Sequence, residues 1–408
     1  MGKRTLVHRE VGNKLHLLNY SVGKIMSFAR DDGRFLLANV DCLDEAGAAA
    51  GSDVLDFLNV TEMRVSSRSF RSSLINLGTV FCFPTVLHLE LNRRCVLRCQ
   101  HCYIPTLDLM SNAESVFEQS DAMAVPVLID ALHGMGVFLV VLTGGEVFLN
   151  RQFRALLGLL AERGFVTEIF SSLQFLPEWF LKVDPLDSRV GRIQTSVYSV
   201  DPSIHDEITG THGSLDRTLK NVRFLYEQGF YIEVATPLLR SNFASRFEIE
   251  DYFLRCGIRQ TFAWPIVSEY YGGSQKKELL NISKEEFLQF CIERPDFLIH
   301  LDPSARADDS VCAAGRSLMS ISANGDVYAC SQFPKPVGNI LSSDLKSVYQ
   351  SSAMRQIAAI KVADLPEDIF RYNFCPGNNY SETGDPLRQS EVVRGALAYY
   401  ERHVTGNG

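Results

Sequence analysis

The sequence predicts an α/β protein whose middle part is a parallel β-sheet or barrel, with a smaller unit on either side. Three observations carry this. From residue 85 onward, apolar strand segments alternate with amphipathic helical ones, the pattern of successive β–α units. One of these strands, Phe138 to Leu142, is apolar throughout, as expected where helices cover both faces of a sheet. The length of 408 residues also exceeds one domain at about 150 residues each.

The elements follow in order. Leu15 to Tyr20 and Lys24 to Phe28 read as two short strands around the turn Ser21-Val22-Gly23, and Arg34 to Val40 as a third. Asp41 to Gly51 is small and Ala-rich, and Val54 to Met63 has helical apolar spacing. Strands with short helices make residues 1–80 a small α+β unit compatible with a winged-helix fold, or a packing extension of the core. Thr85 to Leu91 is the first strand of the alternation. Ser115 to Met135 has the spacing of a long helix, in which Pro126 demands a kink or a fresh start. Phe138 to Leu142, Val166 to Phe170, Arg192 to Tyr198, Tyr231 to Leu239 and Thr261 to Val267 continue the strands. Phe153 to Ala161, Ser214 to Glu227 and Phe247 to Cys256 are helices between them, with Ser214 a candidate N-cap. Asn324-Gly325, between Leu318–Ser322 and Asp326–Ala329, signals a hairpin, and a helix starts at Asp344.

Composition narrows the function classes. A hydrophobic content of 46% and a charged content of 22% are those of a globular protein. The net charge of −8 argues against a nonspecific nucleic-acid binder, and the longest apolar run, Val137 to Leu142, is too short to cross a bilayer. The N-terminus lacks the apolar core of a signal peptide, so the expected location is the cytoplasm. There, ten cysteines point to metal or redox chemistry rather than a disulfide framework. Cys42, Cys82, Cys256 and Cys291 read as small core residues.

Cys95, Cys99 and Cys102 stand C-x3-C-x2-C just after the Thr85–Leu91 strand. Three thiolates so close together can grip one inorganic centre. Four cysteines normally close a 4Fe–4S cluster, so three leave one iron open to another ligand. The same cysteines, with His101, can also form most of a zinc site. After one helix and one strand comes Thr143-Gly144-Gly145-Glu146, where glycines permit close backbone approach and Glu146 offers a carboxylate to an ammonium group.

The cysteine loop followed by Gly-Gly-Glu resembles the radical SAM enzymes, with Val147 where the family usually has Pro. The resemblance implies a partial (β/α)6 TIM-like barrel over residues 81–300. It further implies a 4Fe–4S cluster on Cys95, Cys99 and Cys102 whose open iron chelates S-adenosylmethionine, and Gly144, Gly145 and Glu146 on the methionyl amino group. Ser172 and Ser196, hydroxyls at strand ends, become candidates for the ribose or carboxylate, although Ser171-Ser172-Leu173 stands where relatives often carry Asn-Gly. Ser196 to Gly210 resembles the S-x-Y-S-x-D-x3-H-D-x-I-T-G stretch of family members that act on peptides or proteins; locally, His205-Asp206 reads as an exposed helix start. Cys312, the Asn324-Gly325 hairpin, Cys330 and Cys375 resemble the SPASM or twitch extension, giving residues 301–408 one auxiliary iron–sulfur cluster. A structural zinc is the alternative there.

The whole layout resembles the branch that modifies ribosomally made precursor peptides, in which a domain like residues 1–80 captures a leader peptide by strand addition. Its reaction would begin with one-electron cleavage of S-adenosylmethionine to a 5′-deoxyadenosyl radical that abstracts hydrogen, ending in a cross-link or an epimerised residue. The implied partners are the precursor peptide and a flavodoxin- or ferredoxin-like reductant, with no nucleic acid and no membrane. A radical SAM dehydrogenase, a sulfatase-type maturase and a zinc-stabilised peptide-binding scaffold are the other readings.

Overall fold

The computed structural model of the chain describes residues 6–19, 24–30, 67–104, 115–118, 124–266, 277–298, 305–370, 372 and 374–404. It begins with an antiparallel sheet of β1 (Leu6–Val11), β2 (Lys14–Asn19) and β3 (Lys24–Ala29), in that order. The β2–β3 pair is the expected hairpin. Strand β1 is additional: His8, Arg9 and Glu10 in succession hide its alternation, yet Arg9 is buried. The expected turn at 21–23, strand at 34–40 and helix at 54–63 lie outside the described residues, as does Cys42. A helix without counterpart in the sequence reading, α1 (Ser67–Phe81), leads into the central sheet.

Six parallel strands pair in sequence order: β4 (Val86–Glu90), β5 (Leu139–Thr143), β6 (Val166–Phe170), β7 (Val190–Ser196), β8 (Ile232–Pro237) and β9 (Arg259–Ala263). The connections carry α2 (Ala124–Met135), α3 (Phe153–Glu162), α4 (Pro202–Thr209), α5 (Ser214–Glu227) and α6 (Arg246–Arg255). Between β6 and β7 only a short 3-10 turn, Phe180–Lys182, replaces a helix. The expected helix over 115–135 starts at Ala124, which puts Pro126 in the first turn, where its missing N–H costs nothing. Residues 116–118 form a turn instead.

Polar side chains line the middle of the barrel. Arg192 bridges Glu168 at 2.5 Å and Glu233 at 3.0 Å, and Arg71 of α1 reaches Glu168 at 3.2 Å. An apolar layer lies at the strands' starts, where Val86, Leu139 and Val166 meet Leu74 and Leu77 of α1 and Val7 and Leu18 of the N-terminal sheet. Arg9 fastens that sheet: Nε donates to Val137 O at 2.5 Å, Nη2 to Gly164 O at 3.1 Å, and the guanidinium lies over Phe165. One end of the barrel is therefore closed by packing, and the C-terminal strand ends are left to carry chemistry.

After α7 (Lys284–Glu293), the strands β10 (Leu318–Ile321), β11 (Asp326–Tyr328) and β12 (Pro336–Asn339) extend the same sheet beyond β4. Strand β10 runs parallel to β4, from Leu318 opposite Val86 to Ile321 opposite Leu89, and the β10–β11 pair is the expected hairpin, with Gly325 at φ +84°. Helices α8 (Leu345–Tyr349), α9 (Ser352–Ala358), α10 (Pro376–Thr383) and α11 (Glu391–Val404) complete the chain, α8 being capped by Asp344 as its start predicts. Leu397 of α11 packs with Phe287 and Phe290 of α7, so the C-terminal helix returns to the barrel side. Among the described residues no helix is long and apolar enough to cross a membrane.

Candidate active site

The cysteine loop leaves β4 and is held from two sides by backbone hydrogen bonds. On one side Leu91 N donates to Thr143 O, Gly145 N to Asn92 O and Glu146 N to Arg94 O, each at 2.8 Å. On the other, Arg98 N donates to Thr209 O at 2.9 Å and Gln100 N to Ile208 O at 3.0 Å. The close approach that the glycines permit is to this loop: a Cβ on Gly144 would stand 2.5 Å from Asn92 O, and one on Gly145 2.3 Å from Arg94 O. Gly210, at φ +61°, abuts Arg98 in the same way. The Gly-Gly-Glu segment and the end of α4 thus clamp the cysteines between them.

The thiols are grouped and largely dry. Cys95 is buried, and its sulfur accepts from Leu97 N at 3.4 Å. Burial pushes the Cys95 thiol up to about 11. Burial, and after it the neighbouring Cys102 and Cys95, push Cys99 up to about 12. Among the described residues, no three His, Cys, Asp or Glu side chains close on the position of a single ion. A cluster of four irons is wider than one ion, so the donor set decides the fit. Three thiols that repel one another's ionisation, with an N–H aimed at one sulfur, suit a cationic centre that deprotonates its ligands. The residues present fit the 4Fe–4S group.

Glu146 lies deeper than its sequence suggests. The side chain is fully buried and accepts four hydrogen bonds: Ser171 Oγ at 2.8 Å, Ser172 Oγ at 2.5 Å, Ser172 N at 3.0 Å and Phe148 N at 3.2 Å. Burial raises its pKa against the pull of these donors. Ser172 therefore sits on Glu146, joined by Ser171, which spacing did not single out. Ser196 closes β7 and is half-buried.

The segment after β7 is not an exposed helix start. His205 is buried, and its Nδ1 accepts from Tyr198 N at 3.2 Å; burial lowers its pKa to about 4. Asp206 accepts from Leu215 N at 3.0 Å and Ser214 Oγ at 2.8 Å, and also from Gly213 N. Asp206 thus caps α5 from the preceding helix, and Ser214, expected as the N-cap, is the first helical residue after Gly213. The apolar face of α4 shows only in the fold, which is why local sequence mistook it for surface.

The second cysteine group lies at the outer strands. Cys312 precedes β10, Cys330 follows β11, and Cys375 caps α10, its sulfur accepting from Asn378 N at 3.5 Å. Cys330 accepts from Gln332 N at 3.4 Å. Gly377 fits against that turn, since its Cβ would stand 2.3 Å from Gln332 O. Burial pushes Cys312 up to about 11, and Cys330 and Cys375 also upward; Cys330 feels both other thiols. This donor set again suits a cationic cluster. Of the four cysteines read as core, Cys291 is buried and Cys256 half-buried, but Cys82 is exposed. A small cavity lies beside Cys330, lined by Glu90, Tyr103 and Thr143 from the barrel side and by Ser320, Tyr328 and Cys330 from the outer strands.

This geometry agrees with what is known of other proteins. The radical SAM superfamily profile matches residues 89–248, and that of SPASM, an iron–sulfur cluster-binding domain, matches residues 312–376. The chain is 24% identical to the antilisterial bacteriocin subtilosin biosynthesis protein AlbA of Bacillus subtilis, over 80% of this chain and 73% of that one. It is 27% identical to the mycofactocin maturase MftC of Mycobacterium tuberculosis, over 79% and 86%. In fold it resembles Streptococcus suis SuiB bound to precursor peptide SuiA, with a TM-score of 0.62, 16% identity and coverage of 95% and 98%. The radical SAM domain brings with it a 4Fe–4S cluster and S-adenosylmethionine, and the SPASM domain binds auxiliary iron–sulfur clusters.

Proposed function

As a radical SAM enzyme with a SPASM domain, this protein is, we propose, a maturase that modifies a ribosomally made precursor peptide. The observation that carries the proposal is the small cavity at the strand ends, lined by Tyr103, which follows Cys102 directly, and by Cys330. The names of AlbA and MftC, and the SuiB–SuiA complex, support a peptide substrate.

In this reading residues 1–80 recognise the peptide, 81–300 form the radical SAM core and 301–408 carry the auxiliary cluster. The three-stranded N-terminal sheet supports the first assignment, because a peptide can add to a sheet edge. Cys95, Cys99 and Cys102 would hold the first cluster, and Cys312, Cys330 and Cys375 the second. Bound in the loop, the first cluster would supply one electron to S-adenosylmethionine, giving methionine and a 5′-deoxyadenosyl radical that would take hydrogen from the peptide. The protein's part is placement. Gly144, Gly145 and Glu146 fix the loop and form one wall for the methionyl end, with Ser172 and Ser196 on the neighbouring strands. Burial keeps water from a radical that would otherwise be quenched. The modification would be a cross-link or an epimerised residue, the electron donor a flavodoxin- or ferredoxin-like protein, and the compartment the reducing cytoplasm that ten cysteines suit.

The test is anaerobic reconstitution followed by incubation with S-adenosylmethionine, a reductant and candidate precursor peptides encoded beside the gene. About eight irons per chain, deoxyadenosine release and a changed peptide are expected. Peptide mass separates the outcomes, since a cross-link removes two hydrogens whereas epimerisation in heavy water adds deuterium. Cys330→Ala should keep deoxyadenosine release while lowering iron by about half. Deoxyadenosine release with every peptide unchanged, and turnover of a small alcohol instead, would replace the reading with a dehydrogenase.

A further inference from the structure

Cys312, Cys330 and Cys375 offer three thiols where four normally close a 4Fe–4S cluster. Cys291 does not complete the set, because it is buried in a separate apolar cluster with Phe287, Phe290 and Leu397. The fold draws a different donor to the group. Gly315 N donates to Ala329 O at 2.8 Å, which sets the turn after Cys312 beside Cys330. Tyr380 of α10 stacks on Phe333 with ring centroids 4.9 Å apart, and Gly377 lies against Gln332 O, so the start of α10 presses on the turn after Cys330. At that start Cys375 and Asn378 are separated by two residues, the spacing of Cys99 and Cys102, and Asn378 N donates to the Cys375 sulfur at 3.5 Å. The side-chain oxygen of Asn378, Oδ1, is buried and accepts no hydrogen bond among the described residues. A buried carbonyl oxygen in that state is destabilising unless a bound group pairs with it.

We propose that Asn378 Oδ1 is the fourth ligand of the auxiliary cluster on Cys312, Cys330 and Cys375. The inference deepens that cluster assignment and rests on it. Residues three apart in sequence share one face of a helical turn, so Cys375 and Asn378 can serve neighbouring irons of one cluster. The consequence is electrostatic. A thiolate brings a negative charge to the cluster, whereas an amide oxygen brings none. A neutral ligand in place of a thiolate raises the reduction potential, as His in place of Cys does in Rieske centres. The auxiliary cluster is then easier to reduce than one closed by four thiolates.

The test uses the full chain carrying Cys95→Ala, Cys99→Ala and Cys102→Ala, so that all bound iron reports on the second site. After reconstitution with iron-57, Mössbauer spectra should show about a quarter of the iron as a separate, oxygen-ligated site. Adding Asn378→Cys should convert that site to thiolate ligation. Adding Asn378→Ala instead should release the fourth iron on mild oxidation, leaving the EPR signal of a 3Fe–4S cluster. In the otherwise wild-type chain, Asn378→Cys should lower the potential of the EPR signal that does not respond to S-adenosylmethionine. At a fixed poise its ratio of reduced to oxidised cluster should fall about tenfold, a shift of about 59 mV for one electron. Irons that are all alike before Asn378 is changed, an oxygen-ligated iron that survives Asn378→Cys, or an unchanged potential would each overturn the inference while the auxiliary cluster stands. No iron at the second site would remove the auxiliary cluster and this inference together. No peptide enters these measurements, so the maturase reading is tested separately.

Discussion

Gly145→Ala is the sharpest test of the clamp on the cysteine loop. A methyl group there would stand 2.3 Å from Arg94 O, 2.7 Å from Arg94 C and 2.8 Å from Arg93 O. All three are backbone atoms, so no side chain can swing aside. Ordinary carbon contacts begin at about 3.5 Å, so the loop must retreat by about 1 Å. The retreat breaks Gly145 N to Asn92 O and Glu146 N to Arg94 O, both 2.8 Å. Two such bonds contribute about 2 kcal/mol, and the overpacking itself costs about 1–3, so the expected loss is about 3–5 kcal/mol. Denaturant unfolding of the iron-free protein measures it, and reconstitution should show the first cluster depleted. Gly158→Ala is the control: it lies in α3 with nothing within 4 Å of its new methyl, and should stabilise by about 0.5–1 kcal/mol. If Gly145→Ala unfolds within 1 kcal/mol of wild type, the loop is not clamped as described and the argument fails.

Three further outcomes are expected. His205, with a folded pKa of about 4 against 6.5, is buried neutral, so its contribution is complete above pH 6.5 and lost as pH falls toward 4. That amounts to about 3 kcal/mol, and His205→Gln should flatten the stability profile across that range; an unchanged slope would assign the pH dependence elsewhere. Asp206→Ala uncaps α5 and should cost about 1–2 kcal/mol near neutral pH. Because the folded Asp206 pKa is held below its ordinary 3.8, the difference from wild type should narrow as pH drops below that value. Arg9→Ala leaves Val137 O and Gly164 O without a donor and should lower stability by about 2–4 kcal/mol in thermal or denaturant unfolding.

The chemistry was legible in the sequence because its signals are local. The C-x3-C-x2-C loop, the Gly-Gly-Glu strand end, the strand–helix alternation and the Asn324-Gly325 hairpin each lie within a few residues, and each requires particular side chains or backbone angles. What those residues touch was not legible. The glycines read as room for a ligand, but the fold presses them onto Asn92 and Arg94, residues more than 50 positions earlier in the chain. Glu146 read as an open carboxylate, but two serines from the next strand and two backbone amides surround it. His205 read as exposed, because a helix of eight residues shows little periodicity and its burial depends on Tyr198 and the loop it braces. The same holds for β1, whose buried Arg9 carries its charge among carbonyls and aromatic faces that only the barrel supplies. The joining of β10 to the free edge of β4 is likewise a pairing across more than 220 residues. Sequence determined which groups can do chemistry, since thiols, carboxylates and glycines carry that in themselves. Tertiary structure decided which of them meet, since burial and hydrogen bonding between distant segments exist only once the strands have paired.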